Sequence, residues 1–462
     1  MDSGRQRPGG GRDGAAIAIV GGGFSGAAVA YNLAHARVEA EILVFEPRAR
    51  LGGGLAYGGD DPAHRVNVPA SRMSLLPEDE GHFARWLAET HALRGDPAAL
   101  VGAEAYPGRG VFGRYVEAQL QPFVTAGSVR HIRANVSALR RAGGGWRVVT
   151  EAGEAFDASL AVVATTHPAP ALPPALAPLS DDPRLIADPF AADALAPVGA
   201  QERVLIVGAG LTAADIVAGL DAQGHRGPIT MISRRGLRSR SHPAAPAPAE
   251  GDFVGERTAA ALLAKVRAAL ATAEAEGRSW HGVVEALRLQ GGDIWRALAP
   301  EARRRVVRHL RPFWDAHRFR LAPQLDALLA ARLADGSLTL RKARLRTVAR
   351  EGSALAVKLL DAAPETFDRI ILATGPAHDA ILGSQPFLSE LAAAGALAPD
   401  PAGLGLATTM RGRAIGTDGE PDPTLFVAGP LARGAFGELM GLPQVSLYAR
   451  FIAAEIATAL SA

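Results

Sequence analysis

The segment Ile17–Gly26, IAIVGGGFSG, runs an apolar strand directly into a glycine turn, and the residues after it, AAVAYNLAHA, are strong helix formers. Strand, tight turn and helix in that order make the shape a dinucleotide pyrophosphate requires. Gly21 permits the turn and Gly23 lets backbone approach the phosphates, while Gly26 lets the helix pack on the strand with its positive end toward the anion. A second apolar strand, EILVFEPR, then carries Glu46, twenty residues past Gly26 and placed to accept hydrogen bonds from a ribose. Together these parts make a nucleotide site, where an isolated glycine motif would be weak.

The composition of the 462-residue chain narrows the chemistry. A hydrophobic content of 48% and a charged content of 21% describe a globular chain with room for about two or three domains. The formal charge of +2 gives no global basic field, and without a recognised module nucleic acid is not expected as a partner. Cysteine is absent, so disulfides, thiolate metal sites and a dithiol relay are excluded and redox chemistry falls to a cofactor. No metal-ligand cluster stands out. Residues 1–14, MDSGRQRPGGGRDG, read as a disordered leader and not a signal peptide. No apolar run suits a membrane span, so a soluble, cytoplasmic protein is expected.

After Glu46 comes Leu51–Tyr57, LGGGLAY, where consecutive glycines including Gly53 point to backbone passing close to something planar or charged. The long polar loop beyond it carries His64, Arg65, Asn67, Arg72 and Ser74. It reads as lining the cofactor, with Arg72 and Asn67 the candidates for contact with reacting groups. A helix is predicted over His82–Thr90, with Phe83, Trp86 and Leu87 on one face. From Ser128 to Val163 the period falls to two, which predicts an antiparallel meander returning to the parallel sheet and ending at Ala164-Thr165 beside the nucleotide.

A second glycine turn comes at Val204–Ala213, VLIVGAGLTA, with Gly208, Gly210, Leu211 and Thr212 in the places that Gly21, Gly23, Phe24 and Ser25 hold in the first. Its next strand ends in Ser233-Arg234-Arg235 and carries no acid. Two guanidiniums there suit a ribose 2′-phosphate, which favours NADPH over NADH. Residues 240–335 are helical in composition and include the basic run Arg303–Arg320. Val306, Val307, Leu310, Phe313 and Trp314 are expected to share its apolar side, with the arginines on the solvent side or, for Arg308, His309 or Arg311, attracting an anion. Phe367–Pro376, FDRIILATGP, repeats the Ala-Thr strand ending at Thr374 and Gly375, and Thr424–Gly434, TLFVAGPLARG, is one more strand into a glycine turn at Gly429.

These motifs resemble the bacterial FAD/NAD(P)-binding flavoproteins with two dinucleotide-binding domains, related to flavin-dependent N-hydroxylating and Baeyer–Villiger monooxygenases. The resemblance covers roughly residues 15–460 and rests on GGGFSG, LGGGLAYG with RVNVPASRMSLLP, GAGLTA, IILATGP and LFVAGPLARG. It implies an α/β fold of two Rossmann-like domains, the NADPH domain inserted into a split FAD domain. The FAD parts would span 15–170 and 377–462, with a linker over 171–199 and the NADPH domain over 200–376, which holds the helical insertion. By the same resemblance Gly21, Gly23, Phe24, Ser25 and Gly26 hold the FAD pyrophosphate, Val136 faces the adenine through its backbone, and Arg72, Met73 and Ser74 lie near the flavin ring. Gly208, Gly210, Thr212, Arg234 and Arg235 hold NADPH. The chain departs at Gly429-Pro430, where related reductases have Gly-Asp.

The activity so implied is an FAD- and NADPH-dependent oxidoreductase, with oxygen passing from a flavin hydroperoxide to a small nucleophile. An amine or amino acid is slightly favoured, since nearby arginines suit a carboxylate. A flavin reductase or dehydrogenase without oxygen transfer, and a non-catalytic flavin sensor, are the alternatives. Dioxygen and a small molecule are the expected partners, with no membrane, and the oligomeric state is left open.

Overall fold

The computed structural model describes residues 14–245 and 247–461. The leader expected over residues 1–14 lies, as far as residue 13, outside the described residues. Strand Ala15–Val20 sits inside a six-stranded sheet, between Leu160–Val163 and Ala40–Phe45. Beyond these lie Pro421–Val427 and Arg413–Ile415 on one side and Val129–Ile132 on the other. All pairings are parallel except that of the edge strand Arg413–Ile415. Such strands are covered on both faces, which is why IAIV, ILVF, LAVV and LFV read as unbroken apolar runs. Helix Phe24–His35 packs on this sheet together with Arg109–Thr125 and the closing helix Gln444–Leu460.

A second sheet is wholly parallel, in the order Leu185–Ile186, Arg369–Leu372, Val204–Val207, Ile229–Ser233, Leu338–Lys342. Strand Leu185–Ile186 comes from the segment between the two sheets. Each sheet has an antiparallel meander beside it, Val136–Ala142 to Ala155–Ala158 in the first unit and Leu345–Glu351 to Glu365–Phe367 in the second. In both units the meander leads straight into the parallel strand whose end carries Ala-Thr. Because Pro421–Val427 rejoins the first sheet after the second sheet is complete, the second unit is inserted in the first. This is an α/β fold of two Rossmann-like units.

Two expectations are corrected. Val129–Ile132 does not open the meander: it is the edge of the parallel sheet, with Phe45 opposite Ile132 and the Glu46 amide donating to the Ile132 carbonyl at 3.0 Å. Helix His82–Glu89 does bury Phe83 and Leu87 as the periodicity requires. The basic run behaves otherwise, because a π turn at Val306–Leu310 separates helix Pro300–Arg305 from helix Arg311–Arg318. The extra residue in that turn rotates the second helix about its axis relative to the first. Phe313 is left 44% exposed and Ala316 is buried, while Arg318 turns inward to pair with Glu438 at 2.8 Å. Among the described residues no helix is long and apolar enough to cross a membrane.

Candidate cofactor sites

At the first glycine turn Gly21 has φ +103°, and a side chain there would press on the Ala164 carbonyl oxygen at 2.6 Å. A methyl group on Gly26 would collide with the Gly21 carbonyl oxygen. The turn delivers the chain into helix Phe24–His35, which has no side-chain cap and no acid in its first turn. Its N-terminal amides and positive dipole end are therefore left for an external anion.

A cleft of about 580 Å³ opens at this end of the sheet. It brings together Gly21, Gly23, Phe24, Ser25, Glu46 and Gly53, and on its other walls Val136, Ala164 and Thr165. Glu46 is only 3% exposed. Its carboxylate accepts from the Gly22 amide at 3.1 Å and from the Arg48 amide and guanidinium at 3.1 and 3.0 Å, which fixes it while leaving lone pairs for another donor. The Thr165 hydroxyl is buried with no hydrogen-bond partner among the described residues. An orphaned hydroxyl in a polar-edged cleft fits a ligand that supplies its partner. Gly429, at φ +73°, brings the last strand so close that a side chain would collide with the Ser25 hydroxyl, and Pro430 lines the cleft beside it.

Gly26 packs beneath this cleft and is not part of its lining, and neither are Asn67, Arg72, Met73 and Ser74. Met73 and Ser74 are buried in the core, where the Ser74 carbonyl accepts from the Ser446 hydroxyl at 2.6 Å. The Asn67 carbonyl accepts from His242 Nε2 at 2.9 Å, and Arg72 lies 3.4 Å from Glu285. Both therefore sit where the polar loop meets the helical insertion. Sequence reasoning passed over Arg48, Tyr57, His167 and Gln385, which also line the cleft. Arg48 and His167 stand two residues beyond Glu46 and Thr165 and were within reach of the same motif reading. Gln385 arrives only by packing of helix Pro386–Ala393 on strand Val136–Ala142.

The second turn repeats the first. Gly208 has φ +130°, and a side chain there would collide with the Ala373 carbonyl oxygen. Gly210 is exposed with open space around it, and helix Leu211–Ala222 again begins without a cap or a first-turn acid. Arg234 and Arg235 stand exposed at the end of strand Ile229–Ser233, Arg235 stacked 5.0 Å above the Phe313 ring. Neither makes an ion pair among the described residues, so both guanidiniums are available to a phosphate. The Ser233 hydroxyl donates to the Leu237 carbonyl at 3.1 Å, Thr374 is exposed, and Gly375 has φ +77°.

Arg109 and Asp215 join the two units, with Asp215 1% exposed and 2.8 Å from the guanidinium. Burial pushes the Asp215 carboxyl above its ordinary value against the pull of Arg109. Among the described residues no group of three or more His, Asp or Glu could hold a metal ion.

Residues 18–168 match a family model described as FAD-NAD(P)-binding. Solved structures align along nearly the whole chain. The ornithine hydroxylase of Pseudomonas aeruginosa is 16% identical over 96% of this chain and 99% of its own, with a TM-score of 0.64. The fold is the one these solved proteins share, two dinucleotide-binding units with one inserted in the other. The L-lysine 6-monooxygenase of Pseudomonas syringae is 18% identical over 97% and 99%, with a TM-score of 0.64. The cadaverine monooxygenase of Erwinia amylovora is 12% identical over 95% and 94%, with a TM-score of 0.60. No curated protein matches the sequence.

Proposed function

We propose that this flavoprotein fold serves an FAD- and NADPH-dependent monooxygenase that N-hydroxylates a small amine or amino acid. The observation that carries the cofactor assignment is the pair of glycine turns with opposite partners. One is followed by the buried acid Glu46 and the other by Arg234 and Arg235. A carboxylate suits ribose hydroxyls, and paired guanidiniums suit a 2′-phosphate. The hydroxylase reading draws on the similarity to enzymes whose names are ornithine hydroxylase and lysine and cadaverine monooxygenase.

In this reading Gly21–Gly26 and the start of the first helix hold the FAD pyrophosphate, Glu46 orients the ribose, and the Thr165 hydroxyl gains its missing partner. Bound FAD supplies the electron transfer between NADPH and dioxygen. Apolar Met440, Leu442 and Val445 on the cleft wall keep water from the reacting groups. The balance is amine, dioxygen, NADPH and a proton giving hydroxylamine, NADP⁺ and water. A cytoplasmic location accords with that reading, since NADPH is supplied there.

Turnover of candidate amines under ¹⁸O-labelled dioxygen tests the proposal. The expected result is one labelled oxygen per hydroxylamine, coupled to NADPH consumption. NADPH oxidation giving only hydrogen peroxide across the panel would replace it with the flavin reductase reading. No NADPH oxidation at all would leave a flavin-binding protein without catalysis.

A further inference from the structure

Outside the two turns, Arg433 lies buried, 6% exposed, just past the turn Gly429–Ala432. A guanidinium carries five donors, and a charge buried without a partner is strongly unfavourable. Yet the Nε of Arg433 has no hydrogen-bond partner, and no ion pair reaches the group among the described residues. The acids that act on it from nearby are engaged elsewhere. Glu438 pairs with Arg318 at 2.8 Å, and Asp400 accepts from the amides of Ala402 and Leu404 at 2.9 and 3.2 Å. Asp315 accepts from Arg311 Nε at 3.2 Å through one oxygen, and its other oxygen, Oδ1, has no partner.

Arg433 therefore meets no acid directly and Arg311 engages one oxygen of Asp315, which leaves guanidinium donors open in a buried place. That place adjoins the first cleft. Pro430 and Leu431, just before Arg433, line it, and so does His167, whose pKa burial and the charges of Arg433 and Arg311 push down to about 4. The π turn at Val306–Leu310 is what brings Arg311 to face inward, and turns of this kind recur at functional sites.

We propose that Arg433 and Arg311 form a binding site for a single carboxylate at the inner edge of the cofactor cleft, with Asp315 Oδ1 ready to accept a donor from the same ligand. A carboxylate presents two oxygens to the two guanidiniums, and beside Asp315, Asp400 and Glu438 a monoanion is repelled less than a phosphate dianion. That the carboxylate belongs to the substrate rests on the monooxygenase reading; that the site takes a carboxylate does not.

Calorimetric titration of the full-length, FAD-loaded protein with sodium butyrate tests this, with butylammonium chloride and sodium phosphate as controls at equal ionic strength. Butyrate is expected to bind once and saturably, at least tenfold more weakly in R433M and in R311Q, with phosphate at least tenfold weaker and butylammonium silent. Without ligand, R433M should melt at or above the wild-type temperature, because an apolar chain replaces an unpaired charge. Absent butyrate binding, or binding unchanged in both variants, overturns the site. So does an R433M protein that melts well below wild type or fails to fold, since the guanidinium is then structural. Butyrate binding does not need turnover: its retention in a protein that transfers no oxygen breaks the monooxygenase reading alone.

Discussion

At the first turn a methyl on Gly26 would strike the Gly21 carbonyl, whereas the second turn places Ala213 at the same step and buries its methyl group without conflict. The middle positions differ in the same sense. Gly22 lies against Glu46 and Leu51, where a Cβ would come within 2.6 Å of each, while Ala209 carries a side chain in the second turn. Gly54, from the LGGG run, reaches over the first turn toward Gly23, and nothing lies within 4 Å of a Cβ on Gly210. The first cradle is thus folded under its own chain and the second is open. Enclosure suits a resident cofactor, and openness suits a nucleotide that enters and leaves at each turnover.

The largest effect is expected from the step where the turns differ. Gly26→Ala should cost more than about 4 kcal/mol, because backbone and not a movable side chain is in the way. The variant should purify with little flavin or fail to fold. Ala213→Gly should cost only about 1 kcal/mol, the helix penalty of glycine, and keep flavin content unchanged. Denaturant melts and the ratio of flavin to protein absorbance check both. Equal costs at the two positions would break the contrast between enclosed and open turns.

Next comes the nucleotide preference. Removing Arg234 and Arg235 together should lower kcat/KM for NADPH about a hundredfold, the worth of roughly two charge-assisted hydrogen bonds, and leave NADH nearly untouched. Phe313→Ala should give part of that loss by freeing the Arg235 guanidinium from the ring that holds it. If both nucleotides slow together, the arginines are not reading a 2′-phosphate.

What the sequence disclosed was whatever is written locally. Each glycine turn, each Ala-Thr strand end, Glu46 and the arginine pair lie within a few residues of the strand that positions them, so pattern alone located them. Val129–Ile132 misled because an edge strand of a parallel sheet is open on one side and alternates like a meander strand. The π turn leaves no compositional mark, yet one extra residue decided that Arg311 and Arg318 point inward and Phe313 outward. Arg433 was invisible for a related reason, since its burial depends on helix Arg311–Arg318 and on the loop around Asp400, both remote in sequence.

Glu285, on helix His281–Leu289 of the insertion, meets Arg72 from the polar loop of the first unit, a small contact on the side where the units face each other. Burial alone would raise its pKa, but the ion pair with Arg288 and the charges of Arg72 and Arg320 hold it down to about 2. A depressed carboxyl stabilises the fold above its unfolded value of 4.5 and loses that contribution as pH falls through the interval down to about 2. Glu285→Gln should therefore remove about 1–2 kcal/mol at neutral pH, after allowance for solvent screening, and flatten the acid limb of the stability curve between those limits. Arg72→Gln should reproduce only a fraction of the loss, because Arg72 is exposed and its contact is long. If Arg72→Gln instead matched Glu285→Gln, the link between loop and insertion would carry the effect, and the first cradle would owe part of its enclosure to the second unit.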